Sequence, residues 1–215
     1  AGADRYLLRF ETSQAELYQR YHPPKPGSTV DRLYLLKRLR EMGYEVGSGV
    51  MIGLPGQTYA GLANDLWLFR ELDLDMIGVG PFIVHPRTPL ADPAFARILP
   101  DGEQVPASEL MTYKVIALSR ILCPRANIPS TTALATLNRK NGRELGLVRG
   151  ANVVMPNLTP PQYRIRYEIY PNKACLRETP DECHACLQMR VESLGRVVGR
   201  GPGTSPNYRY RMAKD

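Results

Sequence analysis

The chain has 215 residues, of which 43% are hydrophobic, an ordinary composition for a protein with a globular core. It has no run of about 18 consecutive apolar residues, so we expect no membrane-spanning helix, and its first residues lack the pattern of a signal peptide. The formal net charge is +7, but much of the excess lies in residues 196–215, where Gly and Pro predict a solvated tail rather than a nucleic-acid arm.

The first half of the chain alternates between predicted strands and helices. Residues 6–12 fit a strand covered on both faces, and residues 46–52 fit a second, strongly apolar strand. Between them, Ser28 is the predicted N-cap of a helix that ends at Gly43. Its predicted apolar face consists of Leu33, Leu36, Leu39 and Met42.

A turn of sequence Gly-Leu-Pro-Gly, residues 53–56, follows the second predicted strand, and Thr58 is the predicted cap of the next helix. Such a turn carries backbone N–H groups to the ligand-binding edge of a parallel sheet. A third strand over residues 74–79 leads into the proline-rich loop 80–89, which we predict to form a wall of a site.

The second half continues the alternation. We predict helices over residues 111–122 and 142–148, strands over residues 127–132 and 151–155, and a core position for Cys123. Five strands with four crossovers are too few to close a barrel. We therefore expect α/β architecture, a partial (β/α)₈ TIM barrel comprising about strands 4 to 8 of a longer protein. A doubly wound open sheet is the alternative, but no Gly-x-Gly-x-x-Gly follows any strand.

Polar residues at the ends of these strands form the first candidate site. Arg9 and Glu11 end the first strand, and Arg32 lies early in the following helix. A carboxylate beside guanidinium groups suits a zwitterionic ligand, with Glu for an ammonium and Arg for a carboxylate. A local ion pair between Arg9 and Glu11 is the alternative that the spacing leaves open.

The second candidate site is the cysteine triplet Cys175-x₇-Cys183-x₂-Cys186. The Cys-x₂-Cys pair can place two thiolates on one metal ion or cluster, with the third cysteine near enough to join them. Three cysteines are one short of a closed site, and the adjacent His184 is an awkward fourth ligand. The pattern leaves open a structural zinc, an iron–sulfur cluster with a non-cysteine ligand, or unligated thiols.

Four segments and the cysteine triplet together resemble the HydE family, the radical S-adenosylmethionine maturases of [FeFe]-hydrogenase. The segments are residues 1–12 (AGADRYLLRFET), 51–58 (MIGLPGQT), 78–83 (GVGPFI) and 150–157 (GANVVMPN). The resemblance extends to about residue 200. Within the superfamily, the triplet separates HydE-like chains from biotin synthase and methylornithine synthase.

The resemblance implies a complete (β/α)₈ barrel with a [4Fe–4S] cluster held by a Cys-x₃-Cys-x₂-Cys loop. That cluster reduces S-adenosylmethionine to methionine and a 5′-deoxyadenosyl radical. The implied substrate is an iron carbonyl/cyanide complex of cysteine from a partner maturase, with the product destined for the hydrogenase di-iron centre. Residues 1–215 contain no Cys-x₃-Cys-x₂-Cys, so we expect that loop upstream and no activity from this piece alone.

The resemblance also implies residue roles. Glu11 would bind the amino group of S-adenosylmethionine, and Arg9 and Arg32 its carboxylate. The adenosine side would be lined by Ile52, Gly53, Met76 and Phe82, and the substrate pocket by Thr131, Thr132, Met155 and Tyr167. An accessory [2Fe–2S] or [4Fe–4S] cluster would be held by Cys175, Cys183 and Cys186.

We therefore divide the chain into barrel residues 1–160, a cysteine-containing extension 161–195 and a basic tail 196–215. Other hydrogenase maturation proteins are the expected partners, and oxygen-sensitive clusters imply the cytoplasm. Two alternatives remain open: a biotin synthase-like or methylornithine synthase-like reaction on an organic substrate, and a metal-binding scaffold with structural zinc. Nucleic acid is not an expected partner.

Overall fold

The computed structural model describes residues 2–23, 31–96, 98–175 and 178–214. The strands are β1 (Arg5–Leu7), β2 (Glu45–Ile52) and β3 (Met76–Pro81). The helices are α1 (Ala15–Tyr21), α2 (Arg32–Glu41), α3 (Tyr59–Glu71), α4 (Pro93–Ala96), α5 (Glu109–Leu122), α6 (Thr132–Leu137), α7 (Gly142–Val148), α8 (Pro161–Arg164), α9 (Pro180–Glu192) and α10 (Pro206–Met212). Short 3₁₀ turns cover Pro89–Ala91 and Ile165–Tyr167.

The strands form a parallel sheet in the order β1-β2-β3. Arg5 pairs with Glu45 at one end of β2, and Ile52 pairs with Pro81 at the other. Helices connect the parallel neighbours, which confirms the predicted α/β class. None of the helices in the described ranges has the length and apolar character needed to cross a membrane.

The fourth and fifth predicted strands are present only as isolated parallel bridges. Met76 bridges to Asn127 and Pro129 to Val153, which continues the parallel order beyond β3. Pro129 has no N–H to donate, and the Asn152 side chain rather than a backbone carbonyl accepts the Ile128 N–H at 2.8 Å. The prediction of five strands is therefore wrong in number, because the described residues form a sheet of three strands. The three-strand sheet is compatible with part of a (β/α)₈ barrel.

The core lies on β2 and β3 and on the helices that cover them. Val50, Ile77 and Phe69 are fully buried there. Two predicted caps are confirmed: the Thr58 hydroxyl accepts the Gly61 N–H at 3.0 Å, and Gly43 has a φ of +85° after α2. Burial raises the pKa of the Cys123 thiol to about 11, as expected for a cysteine packed against the core.

Three local predictions are corrected by the structure. β1 is an edge strand of the described sheet, so Tyr6 and Leu7 are about half exposed rather than covered on both faces. Asp31 caps α2 by accepting the Leu33 and Tyr34 N–H groups, whereas the predicted cap Ser28 lies outside the described residues. Met42, predicted on the apolar face of α2, follows the last turn and is exposed.

The basic tail is also not simply solvated. Helix α10 packs near the amino end of the sheet, where Arg211 pairs with the buried Asp75 at 2.8 Å. The Ser205 N–H donates to Glu45 Oε1 at 2.7 Å, and Asn207 donates to Asp73 and Asp75. Part of the positive charge of the tail, which was predicted to be solvated, is thus neutralised by carboxylates near the start of β3.

Candidate functional site

Glu11 lies beyond β1, beside the carboxyl half of β2. Its N–H donates to the Gly49 carbonyl at 3.1 Å, and it forms a parallel bridge with Val50. Its φ is +69°, a left-handed conformation that is unfavourable for a residue with a Cβ. Such backbone strain is found mainly at functional positions, where the surrounding structure maintains it.

Arg9 and Glu11 form the local ion pair that the spacing left open, with Arg9 Nε 3.4 Å from Glu11 Oε2. The pair is nevertheless incompletely satisfied. Arg9 Nε and Nη2 and Glu11 Oε2 are buried without a hydrogen-bond partner in the described ranges. Because unsatisfied buried polar atoms are unfavourable, these atoms provide donors and an acceptor for a ligand.

Arg32, the first residue of α2, belongs to the same group. Its Nη1 donates to the Arg9 carbonyl at 2.7 Å, and its guanidinium carbon lies 5.5 Å from the centroid of the Tyr18 ring. The pKa of His22 is lowered by desolvation and then by Arg32, while Glu11 acts in the opposite direction. Among the described residues, the site thus combines the Glu11 carboxylate with the guanidinium groups of Arg9 and Arg32.

A cavity of about 160 Å³ opens beside Glu11. Its lining consists of Glu11, Thr12, Tyr18, Tyr21, His22, Met51, Leu54 and Leu90. A carboxylate among aromatic and aliphatic side chains suits a ligand that combines a cationic group with an apolar body. Leu90 follows the proline-rich loop, which places the end of that loop at the cavity.

The turn over residues 53–58 has most of its N–H groups satisfied by glutamines of the chain itself. The Gly53 N–H donates to Gln57 Oε1 at 2.7 Å, the Gly56 N–H to Gln104 Oε1 at 2.9 Å and the Thr58 N–H to Gln14 Oε1 at 3.0 Å. These donors are therefore not offered to a phosphate. The turn is a rigid wall, and Gln14 and Gln104 could not be found from spacing because they lie more than 40 residues from their partners.

Asp65 of α3 supports the segment that follows Glu11. The Ser13 N–H donates to Asp65 Oδ1 at 2.5 Å, while Oδ2 is buried without a partner among the residues described. Burial raises the pKa of Asp65 to about 6, and hydrogen bonds from Ser13 and Gln57 oppose the shift. We assign Asp65 a positioning role next to the strand end.

The predicted adenosine-side residues divide between the two ends of the sheet. Ile52, Gly53 and Phe82 lie together at the carboxyl end, where the Phe82 N–H donates to the Ile52 carbonyl at 2.8 Å. Met76 begins β3 and pairs with Gly47. Pro81 lies five residue steps after Met76, about 16 Å along an extended strand, so the structure does not bring Met76 to this group.

The predicted substrate-pocket residues are also only partly grouped. Thr131 adjoins the end of β3, since a Cβ placed on Gly80 would lie 2.9 Å from its hydroxyl oxygen. Thr131 Oγ1 accepts the Leu134 N–H at 3.4 Å, and Thr132 Oγ1 accepts from Arg143 Nη2 at 3.5 Å. Met155 and Tyr167 are 46% and 65% exposed, so they do not form a closed pocket with the threonines.

The three predicted metal ligands line one cavity of about 170 Å³, which we call the cysteine cavity. Cys183 and Cys186 lie on α9, whose start is fixed by a capping box between Thr179 and Glu182. Cys175 precedes this helix and has a φ of +62°. Burial raises the pKa of Cys175, and Arg143 opposes the shift.

The thiols have hydrogen bonds from the protein. The Cys183 Sγ accepts the Asn157 N–H at 3.3 Å, Cys186 Sγ accepts from Arg190 at 3.4 Å and Cys175 Sγ from Arg143 at 3.8 Å. Across the described ranges, no group of three His, Cys, Asp or Glu side chains is arranged to hold a metal ion. The cysteines thus share a cavity without forming a preassembled metal site.

Two buried arginines next to the cysteines were missed by the sequence analysis. Arg164 is 2% exposed and donates to the carbonyls of Thr159, Asn157, Glu178 and Cys175, the last at 3.1 Å. Arg143 is 5% exposed and contacts Cys175. An arginine in a polar loop or short helix gives no periodic signal of burial, so neither position was predictable from spacing.

No protein-family model matches the chain. The chain is 46% identical over 203 residues to the [FeFe] hydrogenase maturase subunit HydE of Thermotoga maritima. The alignment covers 94% of this chain and 54% of that protein, so the chain spans about half the length of this relative. The chain belongs to the HydE family, as the sequence motifs predicted.

Proposed function

We propose that this chain is part of a radical S-adenosylmethionine enzyme that acts in assembly of the [FeFe]-hydrogenase di-iron site. Membership of the HydE family supports the role in hydrogenase maturation, since the relative is named a maturase subunit. The unsatisfied charged group of Arg9 and Glu11 carries the assignment of the cofactor. Its charges match the amino acid end of S-adenosylmethionine.

In this proposal Glu11 accepts hydrogen bonds from the ammonium group, and Arg9 and Arg32 bind the carboxylate. Glu11 Oε2 and Arg9 Nη2, which accept or donate no hydrogen bond within the described residues, are the atoms available for these contacts. Tyr18, Met51 and the other apolar residues of the adjoining cavity would contact the uncharged part of the cofactor. Bound S-adenosylmethionine supplies the carbon radical of the reaction.

The radical-generating [4Fe–4S] cluster does not fit the residues of this chain. The four cysteines of the chain are residues 123, 175, 183 and 186, and their spacing does not form a Cys-x₃-Cys-x₂-Cys motif. We therefore derive no step through that cluster. Residues 1–215 alone are proposed to bind the cofactor without cleaving it.

We further propose that Cys175, Cys183 and Cys186 hold an accessory [2Fe–2S] or [4Fe–4S] cluster. The shared cavity supports this assignment, as does the buried Arg143, which contacts Cys175 Sγ and opposes the effect of burial on the pKa of that thiol. Thr131, Thr132, Met155 and Tyr167 are proposed to face the substrate, an iron carbonyl/cyanide complex of cysteine supplied by another maturation protein. The proposed location is the cytoplasm.

Equilibrium binding of S-adenosylmethionine to the full-length protein, as its gene encodes it, tests the function. Glu11→Gln keeps the side-chain shape but removes the charge, so we expect affinity to fall by about ten- to hundredfold. Glu41→Gln, an exposed carboxylate at the far end of α2, is the matched control and should bind like the wild type. Unchanged binding by Glu11→Gln would refute the proposed role.

A further inference from the structure

The cysteine cavity is lined by arginine side chains in addition to its cysteines. It lies between α6, α7 and α9, and its lining includes three arginines, Arg139, Arg143 and Arg190, and one acidic residue, Glu178, as well as the three cysteines. Arg190 is neutralised by Glu144, 2.5 Å away. Arg139 is exposed at the mouth of the cavity, where it donates to the Asn172 carbonyl at 3.0 Å.

Arg143 differs from the other two because it is 95% removed from solvent. Its Nη2 contacts Thr132 Oγ1 at 3.5 Å and Cys175 Sγ at 3.8 Å, both longer than ordinary charge-assisted hydrogen bonds to oxygen. Its Nη1 is buried with no hydrogen-bond partner within the described ranges. This atom is therefore a buried guanidinium donor for which the described part of the chain supplies no acceptor.

An unpaired buried donor of this kind costs about 1 to 3 kcal/mol, and more when the group is charged. Fixed donors beside a cavity are suited to bind an anion, which would satisfy the atom and neutralise the charge together. The cavity volume of about 170 Å³ is roughly ten times the ~15 Å³ of cavity space that one water molecule requires. A carboxylate of a few heavy atoms or a halide ion fits that space.

We propose that Arg143 binds a small monovalent anion, a carboxylate or a halide, within the cysteine cavity. In this proposal Arg143 Nη1 donates to the anion. A cluster on the cysteines would occupy the same cavity, so the anion binds to the protein whose cysteines carry no cluster. The site can therefore be tested separately from the accessory cluster and from binding of S-adenosylmethionine.

The experiment uses the full-length protein after removal of metal by a chelator under anaerobic conditions. Fluoroacetate is the probe, and its ¹⁹F NMR line is followed as protein is added. We expect saturable binding that bromide displaces, because carboxylate and halide compete for one site. Arg143→Gln should weaken fluoroacetate binding about tenfold or more, as loss of a charged hydrogen bond predicts.

Arg139→Gln is the matched control, since it removes one positive charge from the exposed mouth and should leave affinity within about twofold, because exposed charges contribute little. If Arg143→Gln does not fold, Arg143→Lys takes its place. It keeps the positive charge and should bind fluoroacetate with intermediate affinity. Absence of saturable binding to the wild type would overturn the proposal. Equal binding by wild type and the folded Arg143 variants would also overturn it.

Discussion

Asp65 is a buried carboxyl group next to the strand end, and it makes the stability of the protein depend on pH. Burial raises its pKa from 3.8 to about 6 in the folded state. Between these values the folded state holds a proton that the unfolded state has released. The free energy of unfolding therefore falls as pH rises through this window, by at most about 3 kcal/mol, and the loss persists at higher pH.

Urea unfolding of the metal-free full-length protein from pH 4 to pH 7 measures this effect. The stability of the wild type relative to Asp65→Asn should decline across the window and then stay constant. Asp101→Asn, at an exposed turn, is the control. The stability of the wild type relative to Asp101→Asn should not decline across the same pH range. A wild-type advantage over Asp65→Asn that grew with pH would contradict the assigned burial effect.

Single residues differed in how far they could be predicted. Arg9 and Glu11 were predictable because polar side chains at the end of a strand occupy the ligand-binding edge of a parallel sheet. Gln104, which satisfies the Gly56 N–H, was not, because its position depends on a contact across 48 residues. The buried Arg143 was missed because a charged residue is normally read as a surface position.

At the scale of elements, α9 decides how the cysteines are presented. The helix buries Cys183 and leaves Cys186 exposed, three residues further along. Its capping box fixes where the helix starts and so where both thiols lie relative to Cys175. The sequence analysis predicted the ligand set but no helix, since a Cys-x₂-Cys pair also occurs in loops.

If the triplet holds an accessory cluster, Cys183→Ser should lower the iron and sulfide content of anaerobically reconstituted full-length protein by the amount of one cluster. Cys123→Ser is the control, because that thiol belongs to the core. Its iron content should equal that of the wild type. Equal iron and sulfide in Cys183→Ser and the wild type would refute the cluster assignment, and bound zinc in place of iron would favour a structural site.

Other elements show why strands were harder to predict than helices. α7 has the bounds predicted for it, and α5 begins two residues before the predicted start. The strands predicted at residues 127–132 and 151–155 are single bridges, and α6 begins at Thr132. Apolar composition suggests a strand, but ladder hydrogen bonds decide it, and Pro129 removes one donor.

At the scale of the whole molecule, the amino end of the sheet is joined to the last helix. The buried Asp75 accepts from Arg211, Asn207 and the Val46 N–H. The functional candidates lie at the opposite, carboxyl end of the strands. Stability contacts at one end and the cofactor candidates at the other match the division of roles known for parallel α/β folds. The docking of α10 could not be read from a basic, Gly/Pro-rich sequence because its acidic partners are more than 130 residues away.

The central claim is that Glu11 binds the ammonium group of S-adenosylmethionine and that Arg9 and Arg32 bind its carboxylate. The most direct test compares the affinity of the full-length protein for S-adenosylmethionine and for its decarboxylated form. Arg9→Gln should weaken binding of S-adenosylmethionine about tenfold or more while changing that of the decarboxylated compound little. Glu11→Gln should weaken both, since both retain an amino group. Equal losses for the two compounds in Arg9→Gln, or no loss for either in Glu11→Gln, would contradict the account.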